Sequence, residues 1–265
     1  MIPYTIIPSF HIGSLHINMY GIMFSLGMLL ATMLAVNEAK RRKIEADNIY
    51  DLVIYLIFGT IVGARLFYVS FYWPSDMPFG FFDIFKIWEG GMAFFGGFMG
   101  ALLAGFIYLK KHKMDFWTYS DIFTVPLIVG HIVGRVGDFL TGGHPGQITN
   151  LPWGVYMDGA LRHPVVLYEI LGLTIILLII LSLKRIRLEQ GGLFLCYILL
   201  YSLQRIFLDR YRLVQTDPRT LSLTPSQIVA IILFIAALYI LIVKYKNHKY
   251  NNHAGKISTH KNEVN

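Results

Sequence analysis

Apolar residues in this chain come in long unbroken blocks, with the polar residues gathered between them. A bilayer core is crossed by about 20 residues of helix. Seven blocks reach or nearly reach that length, at 18–37, 48–70, 92–109, 117–134, 165–183, 192–209 and 225–243. The pattern therefore predicts an all-α, polytopic membrane protein with seven transmembrane helices. A single membrane domain is expected over 1–243. The remainder, 244–265, is polar and too poor in apolar residues to bury a core, so a disordered tail is expected there. The first block does not read as a cleavable leader, because no Lys or Arg precedes Lys40.

Composition agrees. The 265 residues are 55% hydrophobic and 15% charged, where soluble domains carry about a quarter charged residues. One cysteine, Cys196, permits no internal disulfide. The net charge of +7 would suit nucleic acid, but the charges sit in short loops and the tail, which argues for membrane topology instead. Lys40, Arg41, Arg42 and Lys43 follow the first block; Lys110, Lys111 and Lys113 follow the third; Lys184, Arg185 and Arg187 follow the fifth. The tail adds more lysines. With seven spans all four groups share one side, so the N-terminus is expected outside and the C-terminus in the cytoplasm.

Arginine breaks this pattern. Arg65, Arg135, Arg162, Arg205, Arg210, Arg212 and Arg219 all fall on the outer side, where topology needs none. Their planar forks suit phosphate and carboxylate, so an outward site for an anionic head group is one reading. Snorkelling, or pairing with acids such as Asp209 and Asp217, is the other.

Local motifs narrow the site. GHIVGRVGDFLTGG (130–143) sets Arg135 at the end of the fourth block. In SLQRIFLDRYRL (202–213), Arg205, Asp209 and Arg212 share one face if a helix continues through them. Gly96 and Gly97 belong to a glycine-rich third block that permits close helix packing or a slot for lipid. Tyr20 lies near the outer edge of the first block. The stretch 151–169 reads as an outer loop ending at Pro164, a helix-start signal, with Glu169 one turn inside the fifth block, where a carboxylate is costly unless paired. No hydrolase, nucleotide or metal pattern is present, and no cofactor is expected.

In this order the segments resemble the prolipoprotein diacylglyceryl transferase family, over about residues 10–243. The resemblance rests on GRVGDFLTGGHPG (134–146), HPVVLYE (163–169), WEGGMAFFGG (88–97), Tyr20–Gly21, and Arg205 with Asp209. It implies a multi-pass enzyme of the bacterial inner membrane that moves the diacylglyceryl group of phosphatidylglycerol onto the lipobox cysteine of a prolipoprotein. By position it implies head-group binding by Arg135, with Gly134, Gly96, Gly97 and Arg212 beside it. Catalytic roles fall to Arg205, Asp209, Tyr20 and Asp138. Membrane lipids and the prolipoprotein signal peptide are the partners implied, without nucleic acid.

The chain departs from the family pattern at Phe95, where a histidine is frequent, at Asp138 for asparagine, at Gly143 for an acid and at Val166 for glutamine. With Phe95 in place, a base could come from Asp138, His144 or His131, or none may be needed. The alternatives are a divergent relative that binds anionic lipid or modifies another acceptor, and a small-anion transporter.

Overall fold

Several helices in this chain begin where a side chain takes up free N–H groups of the first turn. The computed structural model describes residues 4–12, 15–71, 80–86, 91–186, 188–213 and 223–262, with backbone alone at 11, 12, 15, 16, 71, 81, 83, 94, 95 and from 247 onward. Its seven α-helices are α1 (Met19–Arg41), α2 (Ala46–Phe71), α3 (Phe94–Lys111), α4 (Phe116–Leu140), α5 (Val165–Leu183), α6 (Gly192–Leu208) and α7 (Pro225–Asn262). Asn18 caps α1, its Oδ1 accepting from Tyr20 N at 2.8 Å. Thr224 and Gln227 form a capping box on α7: Gln227 N donates to Thr224 Oγ1 at 3.1 Å and Thr224 N to Gln227 Oε1 at 2.9 Å. For α6 the cap is tertiary, Asp121 of α4 accepting from Gly191 N and Phe194 N at 2.8 and 3.0 Å.

Among the described residues six helices are long and apolar enough to cross a membrane: α1, α2, α4, α5, α6 with its following turn, and α7. The molecule is a polytopic helical membrane protein. Two short hairpins accompany the helices, β1 (Ser9–Ile12) with β2 (Leu15–Asn18), and β3 (Val155–Met157) with β4 (Ala160–Arg162). The second corrects the loop expected over 151–169. Asp158 and Gly159, at φ 51° and 75°, make the two-residue turn whose twist matches the paired strands.

Two further boundaries move. The fourth block was expected to end at 134, but α4 runs to Leu140, so Arg135 lies within a helix. Arg205, Asp209 and Arg212 would share one face if a helix continued through them. Instead α6 stops at Leu208, a 3-10 turn spans Asp209–Tyr211, and Arg212 is extended at φ −74°, ψ 150°.

The chain divides into two compact units, residues 1–31 with 120–265, and residues 32–119. In the first, Ile128, Leu173, Ile176, Ile180, Leu193 and Tyr197 lock α4, α5 and α6 together. The N-terminal segment ties itself to the last turn of α4, whose carbonyls would otherwise lack partners: Ile7 N donates to Leu140 O at 2.7 Å and Tyr4 Oη to Phe139 O at 2.6 Å.

In the second unit α2 and α3 touch through glycine. A Cβ on Gly100 would lie 2.9 Å from Gly63 Cα, and one on Gly96 would run into Phe67 Cβ and Gly63 O. Alanine at Gly96 or Gly100 is therefore expected to part these helices, at a cost of about 1–3 kcal/mol. Thermal melting of the purified variants in detergent checks this, and wild-type melting would refute it. Arg65, one of the seven outlying arginines, works within this unit as a strut, donating to Ile84 O and Gly91 O at 3.1 and 2.9 Å.

Candidate active site

Glu169 sits one turn into α5, and its carboxylate is almost wholly buried, with 5% of the side chain exposed. An unpaired charge there would be very costly, and the fold supplies three arginines. Arg205 Nη1 and Arg212 Nη2 donate to Oε1 at 2.8 and 3.0 Å. Arg135 Nε lies 2.7 Å from Oε2. Thus α4, α5, α6 and the strand-like residue after the 3-10 turn meet at one carboxylate.

A second hub holds the arginines from behind. Asp209 is fully buried, its Oδ1 lying 3.1 Å from Arg205 Nε and 3.3 Å from Arg212 Nε. Oδ2 accepts from Thr224 Oγ1 at 2.7 Å and Ser226 Oγ at 2.6 Å, both in the first turn of α7 or its cap. Ser226 also accepts from Arg205 Nη2 at 3.2 Å. A third acid, Asp138, accepts from Arg135 Nη1 at 2.6 Å, one turn along α4.

These distances separate the arginines by what they have left to give. All three guanidinium nitrogens of Arg205 are engaged. Arg135 donates through Nη1 to Asp138 and faces Glu169 through Nε as an ion pair without a hydrogen bond, and among the described residues its Nη2 has no hydrogen-bond partner. Three guanidiniums and three carboxylates leave the cluster formally neutral, and Arg135 Nη2 remains as a donor for an incoming anion.

The sequence candidates scatter around this centre. Arg135, Asp138, Arg205, Asp209 and Arg212 converge. The Tyr20 ring lies beside α4, its Cδ2 at 3.5 Å from a Cβ built on Gly137, and a Cβ on Gly134 would meet nothing within 4 Å. Gly96 and Gly97 belong to the other compact unit, where they pack α3 on Phe67 and Thr60 of α2. Arg162 serves the backbone, donating to Met157 O and Gly146 O at 3.2 Å each. Arg219 and residues 88–90 fall outside the described residues, as does the Phe95 side chain. Glu169, the hub of the cluster, is the residue that the candidates omitted; its signal was a lone carboxylate inside an apolar block. Ser226 and Thr224 carried no signal apart from the capping pattern.

Two of the departures meet at one point. Gly142, at φ 74°, ends α4 with Gly143 N donating to Asp138 O at 2.8 Å. A side chain on Gly143 would begin 3.3 Å from Asp138 Oδ1, so an acid there would face the Asp138 carboxylate directly.

Beside the cluster, Trp153 Nε1 donates to Tyr168 Oη at 2.9 Å, and Tyr168 Oη lies 3.3 Å from His163 Nδ1. Indole nitrogen only donates, so the Tyr168 hydroxyl accepts from Trp153 and pairs with His163 Nδ1 in a direction set by the imidazole tautomer. Burial holds His163 below its ordinary 6.5; burial, with Arg212 nearby, does the same for His144. Both are depressed in the fold, so unfolded chains bind protons first and stability rises with pH through this range. Acidification below about 6.5 is expected to protonate His163, whose Nδ1 then only donates to Tyr168, and to shift Trp153 emission. In His163→Gln the emission should not respond to pH; an unchanged titration in that variant would sink the assignment.

A helical membrane protein with a buried arginine–carboxylate cluster, one guanidinium of which keeps an open donor, belongs to the class that handles anionic groups within the bilayer. Residues 8–243 match the family described as prolipoprotein diacylglyceryl transferase. The chain belongs to that family. It is 32% identical over 252 residues to the phosphatidylglycerol–prolipoprotein diacylglyceryl transferase of Bacillus velezensis, covering 89% of this chain and 91% of the relative. The corresponding enzymes of Pediococcus pentosaceus and Clostridioides difficile are each 33% identical, over 90% and 92% of this chain and 90% and 97% of theirs.

Proposed function

We propose that this chain moves the diacylglyceryl group of phosphatidylglycerol onto the lipobox cysteine of prolipoproteins, and that the cluster around Glu169 is where it does so. The observation that carries the reading is Arg135 Nη2, which has no hydrogen-bond partner among the described residues, in a site where all three Arg205 nitrogens face a carboxylate or hydroxyl. The acceptor's thiolate attacks the glycerol carbon that bears the phosphate ester. The carbon–oxygen bond breaks, glycerol phosphate departs with the electron pair, and a thioether remains.

In this reading Arg135 holds the head-group phosphate. Arg205 and Arg212 stabilise charge that gathers on the departing phosphate, and Asp209 keeps both in register. Asp138 orients Arg135. Open space at Gly134 admits the head group, and the Tyr20 hydroxyl lies within the same outer region. Gly96 and Gly97 contribute by setting the α2–α3 contact. The lysine-rich ends of α1, α3 and α7 and the loop after α5 support seven spans, an outer N-terminus and active site, and a cytoplasmic tail over 244–265. Residues 1–243 then form one transferase domain of the bacterial cytoplasmic membrane.

The test uses the purified full-length chain in phosphatidylglycerol vesicles with a lipobox peptide. Mass spectrometry should find diacylglyceryl on the cysteine peptide and none on its serine analogue. A folded protein that binds the lipid without transfer would support a divergent lipid-binding relative instead. Lipid-independent anion flux would support a transporter.

A further inference from the structure

Each carboxylate of the cluster faces a guanidinium at 3.3 Å or less, so none is free to take up a proton readily. His131 differs. Among the described residues it makes no hydrogen bond and no ion pair. Its one recorded contact is edge-to-face with Tyr201, ring centroids 5.1 Å apart at 62°, and its electrostatic surroundings are Arg135, Glu169 and Arg205.

Helix periodicity fixes where that imidazole lies. His131 precedes Arg135 by four residues on α4, and Tyr201 precedes Arg205 by four on α6. Each pair shares a helix face, and both steps run toward the N-terminal end of the helix. The His131–Tyr201 contact is therefore stacked one turn, about 6 Å along the axis, from the guanidiniums. In a displacement at carbon, the nucleophile enters opposite the leaving oxygen. With the phosphate on Arg135 and Arg205, the attacking sulfur must come from the side away from them. An unbonded ring nitrogen one turn off is placed on that side.

We propose that His131 takes the proton from the acceptor's cysteine thiol. The inference rests on the reading that the arginine cluster holds the lipid phosphate. The thiol S–H bond breaks and its proton passes to the imidazole. The sulfur lone pair forms the thioether as the carbon–oxygen bond opens, and the imidazolium then releases its proton to the departing glycerol phosphate or to water. Arg135 and Arg205 cannot serve, since guanidinium has no lone pair to offer.

The experiment compares the full chain with His131→Gln and His144→Gln in phosphatidylglycerol vesicles, using a lipobox cysteine peptide and its selenocysteine analogue. At pH 7, His131→Gln should transfer to the thiol about 100-fold more slowly. The deficit should shrink as pH passes about 8.5, where the thiol ionises unaided. The selenol peptide, ionised without help at pH 7, should recover most of the loss. Retention of phosphatidylglycerol by the variant should be unchanged. A loss that is constant with pH and not recovered by selenol would mean a structural role and overturn the proposal. So would near-wild-type transfer, or a pH-dependent loss that appears with His144→Gln instead. His131→Asn serves as the second variant if glutamine disturbs packing on Tyr201. Arg135→Ala separates the two readings: if it binds lipid and transfers normally, the cluster is not the phosphate site, whatever His131 does.

Discussion

Glutamine in place of Glu169 is expected to cost the protein both its stability and its chemistry. The substitution keeps the shape of the side chain and removes the charge that Arg135, Arg205 and Arg212 share. Three buried guanidiniums would then face two carboxylates, and the excess charge has little water to spread into. Breaking one partner of a buried pair typically costs about 3–5 kcal/mol, and here one carboxylate serves three partners. Relaxation of Arg135 toward Asp138, and of Arg205 and Arg212 toward Asp209, offsets part of that. Transfer should fall by about 10²–10³-fold, the usual loss when a preorganised charge-stabilising group is disturbed. Glu169→Asp retains the charge on a shorter stem and should fall between the two. Asp138→Asn should be milder, because Asp138 answers to Arg135 alone and keeps 13% of its side chain exposed. Detergent melting and the vesicle transfer assay decide the matter. A Glu169→Gln protein that melts and transfers like wild type would remove Glu169 from the centre of the site.

Much of the fold was legible because membrane helices announce themselves by length. The blocks at 165–183 and 192–209 coincide with α5 and α6 to within a residue. What blurred was helix extent at polar ends. The fourth block looked finished at 134, since the last turns of α4 carry Arg135 and Asp138, and only their mutual pairing makes those turns acceptable at a membrane edge. Past Leu208 the conditional continuation of the helix does not occur. Nothing local stops a helix at Leu208; Asp209 is held by Thr224 and Ser226 of a distant segment, and that grip turns the chain. The Asp158–Gly159 hairpin, by contrast, was readable from its dipeptide. Sorting lysine from arginine pointed to an anion site, and Arg135, Arg205 and Arg212 do converge. The same sorting could not tell them from Arg65 and Arg162, which spend their donors on backbone carbonyls. A guanidinium's partner is a tertiary fact. For the same reason Glu169 was visible as an expensive residue and not as the hub, since its three arginines come from positions 36 and 43 residues later and 34 earlier in the chain.

Lysine at Arg135 tests the claim that the fork, and not merely the charge, binds the lipid. Arg135 addresses three directions from one plane: Nε toward Glu169, Nη1 toward Asp138, and an Nη2 with no hydrogen-bond partner among the described residues. An ammonium is one nitrogen on a flexible stem, and it cannot span Glu169, Asp138 and a phosphate at once. The positive charge survives in Arg135→Lys, so Glu169 is not left with an extra unpaired charge and melting should shift only slightly. Transfer at low lipid should fall about 100-fold, equivalent to about 2.7 kcal/mol. How that loss divides is informative. If Arg135 holds the head group equally before and during reaction, KM for phosphatidylglycerol rises while kcat is retained. Arg205→Lys should behave in the opposite way, because Arg205 is proposed to meet charge that appears only as the ester bond breaks; kcat should fall with little change in KM. Full activity of Arg135→Lys would refute head-group recognition by the guanidinium. Equal kcat losses in both variants would instead make the two arginines parts of one transition-state clamp, with recognition of the lipid residing elsewhere in the protein.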